Sequence, residues 1–445
     1  MSGTTTSTGT PIAGSTAGLR DVAWAVTPDE RAYLRDLARR QAEYAALPVM
    51  AERRRQWLDL NDGRANVRPP FILEASNFMF ELLPDRRYRC QSPAAQAIER
   101  ELVRYTLPHE TWQDDRVVPG VLDFSWFLDI DEFGPDVRVS LEKARDAEGN
   151  EVGYGFHHPV MDLEADLPRF RPATVTVHRE RSLAWRAFVE DVLGDLLPVR
   201  LVVVWHDFNT LAQRLVHLMG MEAFFIACHE QPDAVHAVMA YLRDNALSIM
   251  RQEDELGILG LNNDHQEVWW SGHNYTSLLP GPGFDPARVT WAHRWQATNL
   301  QEATGMRPSM ASEFLYPYVH EIAKPVGLLY YGCCEAVHHN WDDIRTLPHL
   351  KKVSISQWTD EGFMGEALRG HDIVYSRKPN PNYLSLDEAL DGEAWAAHIR
   401  KTLDATRGCS VEFLVRDVYT LHHNLDNARR AASIALEEID RHWRG

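Results

Sequence analysis

The residues best placed for chemistry are Cys333, Cys334 and Glu335, at the end of the run Val326-Gly-Leu-Leu-Tyr-Tyr-Gly-Cys-Cys-Glu335. Two thiols and a carboxylate in three positions offer soft metal ligands, nucleophiles and a proton carrier at one point. The run before them is continuously apolar, the pattern of a parallel strand covered on both faces. Gly332 lets the backbone turn or pass close to a neighbour. Asn340-Trp-Asp-Asp343 then reads as a helix start. The unit is strand, reactive loop, helix, with its reactive groups at the carboxyl end of the strand, where α/β folds carry their sites.

Other polar groups fall at predicted strand ends. His206-Asp207 follows Leu201-Val-Val-Val-Trp205, and Asn262-Asn-Asp-His265 follows Ile258-Leu-Gly-Leu261. Ser356, Lys378 with Asn380, and Cys409 beside Val411-Glu-Phe-Leu-Val415 complete the set. If these strands close into a barrel, Cys333 and Cys409 come side by side. Thiolates with histidine or a carboxylate form a zinc ligand set, and an open zinc site binds a thiolate or polarises an oxygen. The bland readings stand beside these. Cys90 and Cys228 are taken as packing. His206-Asp207 fits a satisfied core pair as well as a catalytic one, and His338-His339 fits a solvated loop. Trp269-Trp270 before Ser271-Gly-His-Asn-Tyr275 could wall an aromatic pocket, with His273 and Tyr275 in it.

The elements that must position these groups follow from periodicity. Thr27-Pro-Asp-Glu30 is a capping box with Pro at the first helical position. Ser92-Pro93 starts a second helix. Residues 21–115 read as a helical N-terminal extension, with a short strand at Phe71-Ile-Leu73. From 116 onward strands alternate with helices: Val121–Leu128, Leu201–Trp205, Ile258–Leu261, Val326–Tyr331, Lys352–Ser356, Asp372–Ser376 and Val411–Val415. Pro232 opens an amphipathic helix through Val235, Val238, Met239, Leu242, Ala246 and Ile249. Ser385-Leu-Asp-Glu388 reads as another capping box. The expectation is α/β: a (β/α)8 TIM-type barrel over 116–445, capped by the helical extension, with residues 1–20 a Ser/Thr/Gly-rich disordered tail.

Of 445 residues, 46 are Lys or Arg and 64 are Asp or Glu, a net charge of −18. That balance argues against a general nucleic-acid or anionic-membrane binder. No apolar run approaches the roughly 18 residues of a membrane span, and the first residues lack a signal peptide's basic and apolar regions. A cytoplasmic protein with reduced thiols is expected, and five cysteines are too few and too scattered for a disulfide framework. No dinucleotide-binding, Walker or nucleophile-elbow motif is present.

Three segments carry a resemblance. Gln301-Glu302 with Ser309-Met310, Phe314 and Pro317-Tyr318 is the first; Tyr331-Gly-Cys-Cys334 with Asp342-Asp343 and Lys352–Ser356 is the second; Ser376-Arg-Lys-Pro-Asn-Pro-Asn-Tyr-Leu384 is the third. Together they resemble the uroporphyrinogen decarboxylase superfamily. The nearer branch is the zinc-dependent methyltransferases that move methyl groups between corrinoid proteins and thiols or folate; cobalamin-independent methionine synthase is a more distant likeness. The resemblance implies zinc on Cys333 and Cys409, with Cys334 as a third thiolate. Tyr331 stands where those methyltransferases have a zinc histidine, and Cys334 where they have glycine. It further implies a corrinoid supplied by a partner protein and a small-molecule substrate. Glu335, His206 and Asp207 would be the catalytic groups, and Asn262, His265, His273, Tyr275, Tyr331, Lys378 and Asn380 the substrate-binding ones. The expected function is zinc-dependent methyl transfer. A metal-free decarboxylase or lyase, and a non-catalytic corrinoid- or tetrapyrrole-binding barrel, stay open beside it.

Overall fold

The computed structural model describes residues 15–16, 18–145, 151–203, 209–268 and 271–444. Among them are twelve strands: β1 Phe71–Leu73, β2 Leu122–Ser125, β3 Leu128–Asp131, β4 Ser140–Arg145, β5 Glu151–His157, β6 Thr174–Val177, β7 Val199–Val202, β8 Trp295–Thr298, β9 Leu328–Tyr331, β10 Leu350–Ile355, β11 Val374–Arg377 and β12 Ser410–Val415. Six form one parallel sheet in the order β1-β12-β11-β10-β9-β8. β2 and β7 form a separate parallel pair; β3 with β6 and β4 with β5 pair antiparallel. The fold is therefore mixed α/β with parallel strands and covering helices. Backbone pairing among the described residues leaves the six-stranded sheet open, not closed into the expected barrel.

The two faces of the sheet differ, as the two-residue period of a strand requires. One face presents Leu329, Tyr331, Val353, Ile355, Tyr375, Val411 and Phe413 to the main core. The other carries Lys352, Ser354, Ser376 and Glu412, all fully buried. Lys352 Nζ lies 2.7 Å from Glu412 Oε2 and stands over the rings of Trp57 and Trp295. Ser376 Oγ donates to the other Glu412 oxygen at 2.6 Å. A buried charge pair costs desolvation, which these hydrogen bonds help to offset.

Several sequence expectations change. β1 lies in the predicted N-terminal extension, yet it joins the edge of the main sheet beside β12. The predicted tail is packed where it is described: Leu19 is buried, and Thr16 N–H donates to Ser125 Oγ at 3.2 Å. Val121–Leu128 divides between β2 and β3, which belong to different sheets. Residues 258–261 form no strand. Their carbonyls are bonded by side chains instead, Ile258 O by Trp126 Nε1 at 3.0 Å and Gly260 O by Arg294. The capping role expected of Ser385 belongs to Asp391, which accepts from Glu393 N–H and Ala394 N–H ahead of the helix Gly392–Ala405. The Thr27 box and the Ser92 cap form as read, and the helix Pro232–Leu256 buries its apolar stripe. No single helix among the described residues is long and apolar enough to cross a membrane.

Candidate active site at the dithiol end of β9

β9 ends at Tyr331, and the chain turns at Gly332. Its φ of +97° is a conformation other residues rarely adopt, and an added Cβ would sit 3.1 Å from Ser354 Cβ. The turn is then tied down from every side. Gly332 N–H donates to Thr298 O at 2.9 Å. Cys333 O accepts from Ser354 Oγ at 2.7 Å and from Lys378 Nζ at 3.2 Å. Cys333 N–H donates to Glu335 Oε2 at 2.8 Å, Leu300 N–H donates to Glu335 Oε1 at 3.2 Å, and Ser356 Oγ donates to Glu335 O at 3.1 Å. Both Glu335 oxygens thus brace backbone amides, a positioning task.

The turn holds Cys333 Sγ 3.6 Å from Cys334 Sγ, both as free thiols. When Cys334 ionises, the Cys333 S–H donates to it. That hydrogen bond lowers Cys334 to about 7 against the opposing effect of burial, with Lys378 and Arg416 adding to the fall. The same bond, together with burial, raises Cys333 well above the usual thiol range. Near neutral pH the pair is therefore half ionised, with the charge on the more exposed sulfur. Burial pulls the Lys378 ammonium down, but Tyr330, Cys333 and Cys334 outweigh it, and Lys378 stays charged. Arg416, at the end of β12, is likewise held charged despite burial by Cys333, Glu74 and Asp417. A thiolate beside two fixed cations is the environment that makes a cysteine nucleophilic.

One further carboxyl faces this end of the sheet. Burial raises Glu302, on the turn Gln301–Gly305 after β8, to about 7, and the charges of Glu335 and Cys333 act in the same direction. Its Oε2 is buried with no hydrogen-bond partner. Glu302 meets the requirements of a proton carrier that Glu335 does not.

The structure gathers Cys333, Cys334, Glu335 and Lys378, and does not gather the rest. Cys409 precedes β12, whereas Cys333 follows β9. The ladder aligns Tyr331 with Val353, Tyr375 and Val411, which sets the two cysteines at opposite ends of the sheet. They lie roughly 13 Å apart along the strands and roughly 14 Å across them. Cys409 Sγ donates to Gly365 O at 3.2 Å, and burial pushes it up to about 11. His273 is a core histidine: Val117 N–H donates to its Nε2 at 2.9 Å, its Nδ1 lies 2.7 Å from His265 O, and burial holds it well below its usual pKa. Asn262 spends its amide on both backbone groups of Trp295. His265 packs between Asp123 and Asp264, at 3.3 and 3.6 Å, in a network held by Arg200. Tyr275 stands edge-on to His273. Asn380 Oδ1 accepts from Asn382 N–H and closes its own turn. Tyr331 points to the helix-covered face, its hydroxyl 2.9 Å from that of Tyr316. His206, Asp207, Trp269 and Trp270 lie outside the described residues.

Sequence reasoning did not single out Arg416 or Glu74, and it gave Glu302 no role beyond its place in the resemblance. Arg416 carried the same signal as Lys378, a charged residue directly after a buried strand, but Cys409 at the other end of that strand drew the attention. Among the described residues, the zinc implied by the resemblance finds two adjacent thiols here, with Cys409 at the far end of the sheet. Among the described residues no group of three His, Cys, Asp or Glu side chains could hold a metal ion. The site as described does not fit a four-ligand zinc centre.

No family model matches the chain, and no curated protein matches it. Among solved structures, a methyltransferase from Methanosarcina mazei aligns over 87% of this chain and 98% of its own, with 12% identity and a TM-score of 0.47.

Proposed function

We propose that this chain is a group-transfer enzyme, at its most specific a methyltransferase, whose reacting centre is the Cys333–Cys334 pair. The observation that carries the reading is a pair of free thiols 3.6 Å apart at the strand ends, with Lys378 bonded to the Cys333 carbonyl and the charges of Lys378 and Arg416 both acting on the sulfurs. The Cys334 thiolate attacks the methyl carbon of a donor CH3–X. The S–C bond forms, the C–X bond breaks, and X leaves with the electron pair and takes a proton from Glu302. Transfer of the methyl to an acceptor nucleophile then restores the thiolate. Lys378 and Arg416 keep the sulfur ionised, and Glu335 holds the turn. A corrinoid carried by a partner is one donor or acceptor this reading admits, and free thiols suit a reducing compartment such as the cytoplasm.

A second reading rests on the same two cations. Lys378 and Arg416, whose charges both act on the thiols, would also hold a substrate carboxylate, as a lyase or decarboxylase needs. Methyl transfer from methylcobalamin to 2-mercaptoethanol, followed by absorbance and mass spectrometry, separates the two. The methyl-transfer reading expects turnover and a transient adduct of about 14 Da on Cys334, the net gain when CH3 replaces the thiol hydrogen. Absence of both, with metal-independent loss of CO2 from a carboxylated substrate, would favour the lyase.

A further inference from the structure

Cys333 and Cys334 are adjacent in the chain and free, with their sulfurs 3.6 Å apart. The turn that carries them is held at several points. Cys333 N–H donates to Glu335 Oε2, Cys333 O accepts from Ser354 Oγ and Lys378 Nζ, and Glu335 O accepts from Ser356 Oγ. A direct S–S bond would require the sulfurs to close to about 2 Å. Disulfide Cα atoms usually lie about 4.4 Å or more apart. A trans peptide joins these two cysteines, and it sets their Cα atoms at about 3.8 Å. Forming the bond would therefore break the turn. One atom bonded to both sulfurs asks for no such change. Two sulfurs at about 2.3 Å from a tetrahedral or pyramidal centre lie roughly 3.5–3.8 Å from each other, which brackets the separation found.

The number of partners identifies the atom. Zinc takes at least three protein ligands, and among the described residues no third His, Cys, Asp or Glu joins the pair to hold a metal. A two-coordinate ion such as Cu(I) sets its sulfurs on opposite sides, at twice one metal–sulfur bond, wider than this turn holds them. Trivalent arsenic makes three bonds in a pyramid, and arsenous acid brings the third ligand as its own hydroxyl. It arrives uncharged, so no ion has to be desolvated on entry. Half-buried Cys334 is open to it, and buried Cys333 lies behind to close the ring. We propose that Cys333 and Cys334 form a binding site for a trivalent, thiol-seeking metalloid of the arsenous acid class. Two S–As bonds form and two As–O bonds break. The two hydroxides leave as water with the two thiol protons, and nothing is oxidised or reduced. The proposal goes beyond methyl transfer and rests only on the geometry of the thiols.

The test is a titration of the full chain with sodium arsenite, under a phosphine reductant so that no other thiol competes. Bound arsenic is counted by elemental analysis after desalting, and the open cysteines are found by iodoacetamide labelling and peptide mass spectrometry. One arsenic per chain is expected, with Cys333 and Cys334 protected together. Cys409→Ser should bind as the wild type does. Cys334→Ser should bind on the order of a hundredfold more weakly, because the second S–As bond is intramolecular and is lost. Zinc chloride at the same concentration should protect neither thiol. No bound arsenic, or arsenic held equally by Cys334→Ser, would overturn the proposal. So would equal protection by zinc, because the pair would then serve an ion that needs more ligands. No methyl donor enters the assay, so its outcome is separate from that of the methyl-transfer test.

Discussion

The half of the molecule built on β8 to β12 and the half around β2, β7 and residues 258–275 use polar side chains in opposite ways. In the first half the parallel ladder satisfies the backbone. Side chains beyond the strand ends are then free to meet one another, and Cys333, Cys334, Lys378 and Arg416 do. In the second half the ladder is short, and side chains take over its hydrogen bonds. Asn262 pairs with Trp295 as a strand would, His273 links Val117 to His265, and Arg294 and Trp126 bond carbonyls of 258–260. Buried backbone groups must be paired with something. A polar residue in a region of incomplete pairing is therefore first a structural partner, and one beyond a complete ladder is first a chemical one.

That contrast can be broken by substitution. The largest effect is expected from Cys334→Ser, which should lower methyl transfer by about a hundredfold or more, the scale of losing a nucleophile, with little change in thermal stability. His273→Leu should do the reverse. Two buried backbone groups lose their partners, for a cost of about 2–5 kcal/mol, read as a fall in the denaturation midpoint with Cys334 alkylation unchanged in the surviving folded protein. Asn262→Leu should follow the same pattern at about 2–4 kcal/mol. Lys378→Met removes one cation and should raise the pH midpoint of Cys334 alkylation by about one unit, toward the ordinary thiol value. The smallest effect belongs to the Asp123 network. Burial opposes, but His265 and Arg200 lower Asp123 from 3.8 to about 2. A depressed carboxylate stabilises the fold above its unfolded pKa, and that contribution is lost as pH falls through the folded one. Asp123→Asn should therefore flatten the acid-unfolding profile between those two values.

The same contrast explains what the sequence revealed. β9 and its reactive end were legible because a continuous apolar run broken by Gly332 has few other meanings. The Thr27 box, the Ser92 cap and the stripe of Pro232–Leu256 were legible because their signals are local. β8 was missed because Trp-Gln-Ala-Thr298 has no apolar period, its Gln296 being buried like the apolar residues beside it. His265, His273 and Asn262 were read as site residues because sequence shows a polar residue after an apolar run and not whether the run is paired. Cys409 failed for a directional reason. It flanks a genuine strand, but at the amino end, and only carboxyl ends share the rim with Cys333.

The central claim is that Cys334 is the ionised sulfur of a dithiol on which the charges of Lys378 and Arg416 both act. The most direct measurement is the rate of iodoacetamide alkylation at each cysteine against pH, resolved by peptide mass spectrometry. The account predicts that Cys334 reacts first, with a midpoint near 7, and that Cys409 stays inert until far higher pH. A Cys334 midpoint at the ordinary thiol value, or Cys409 reacting alongside it, would contradict the account.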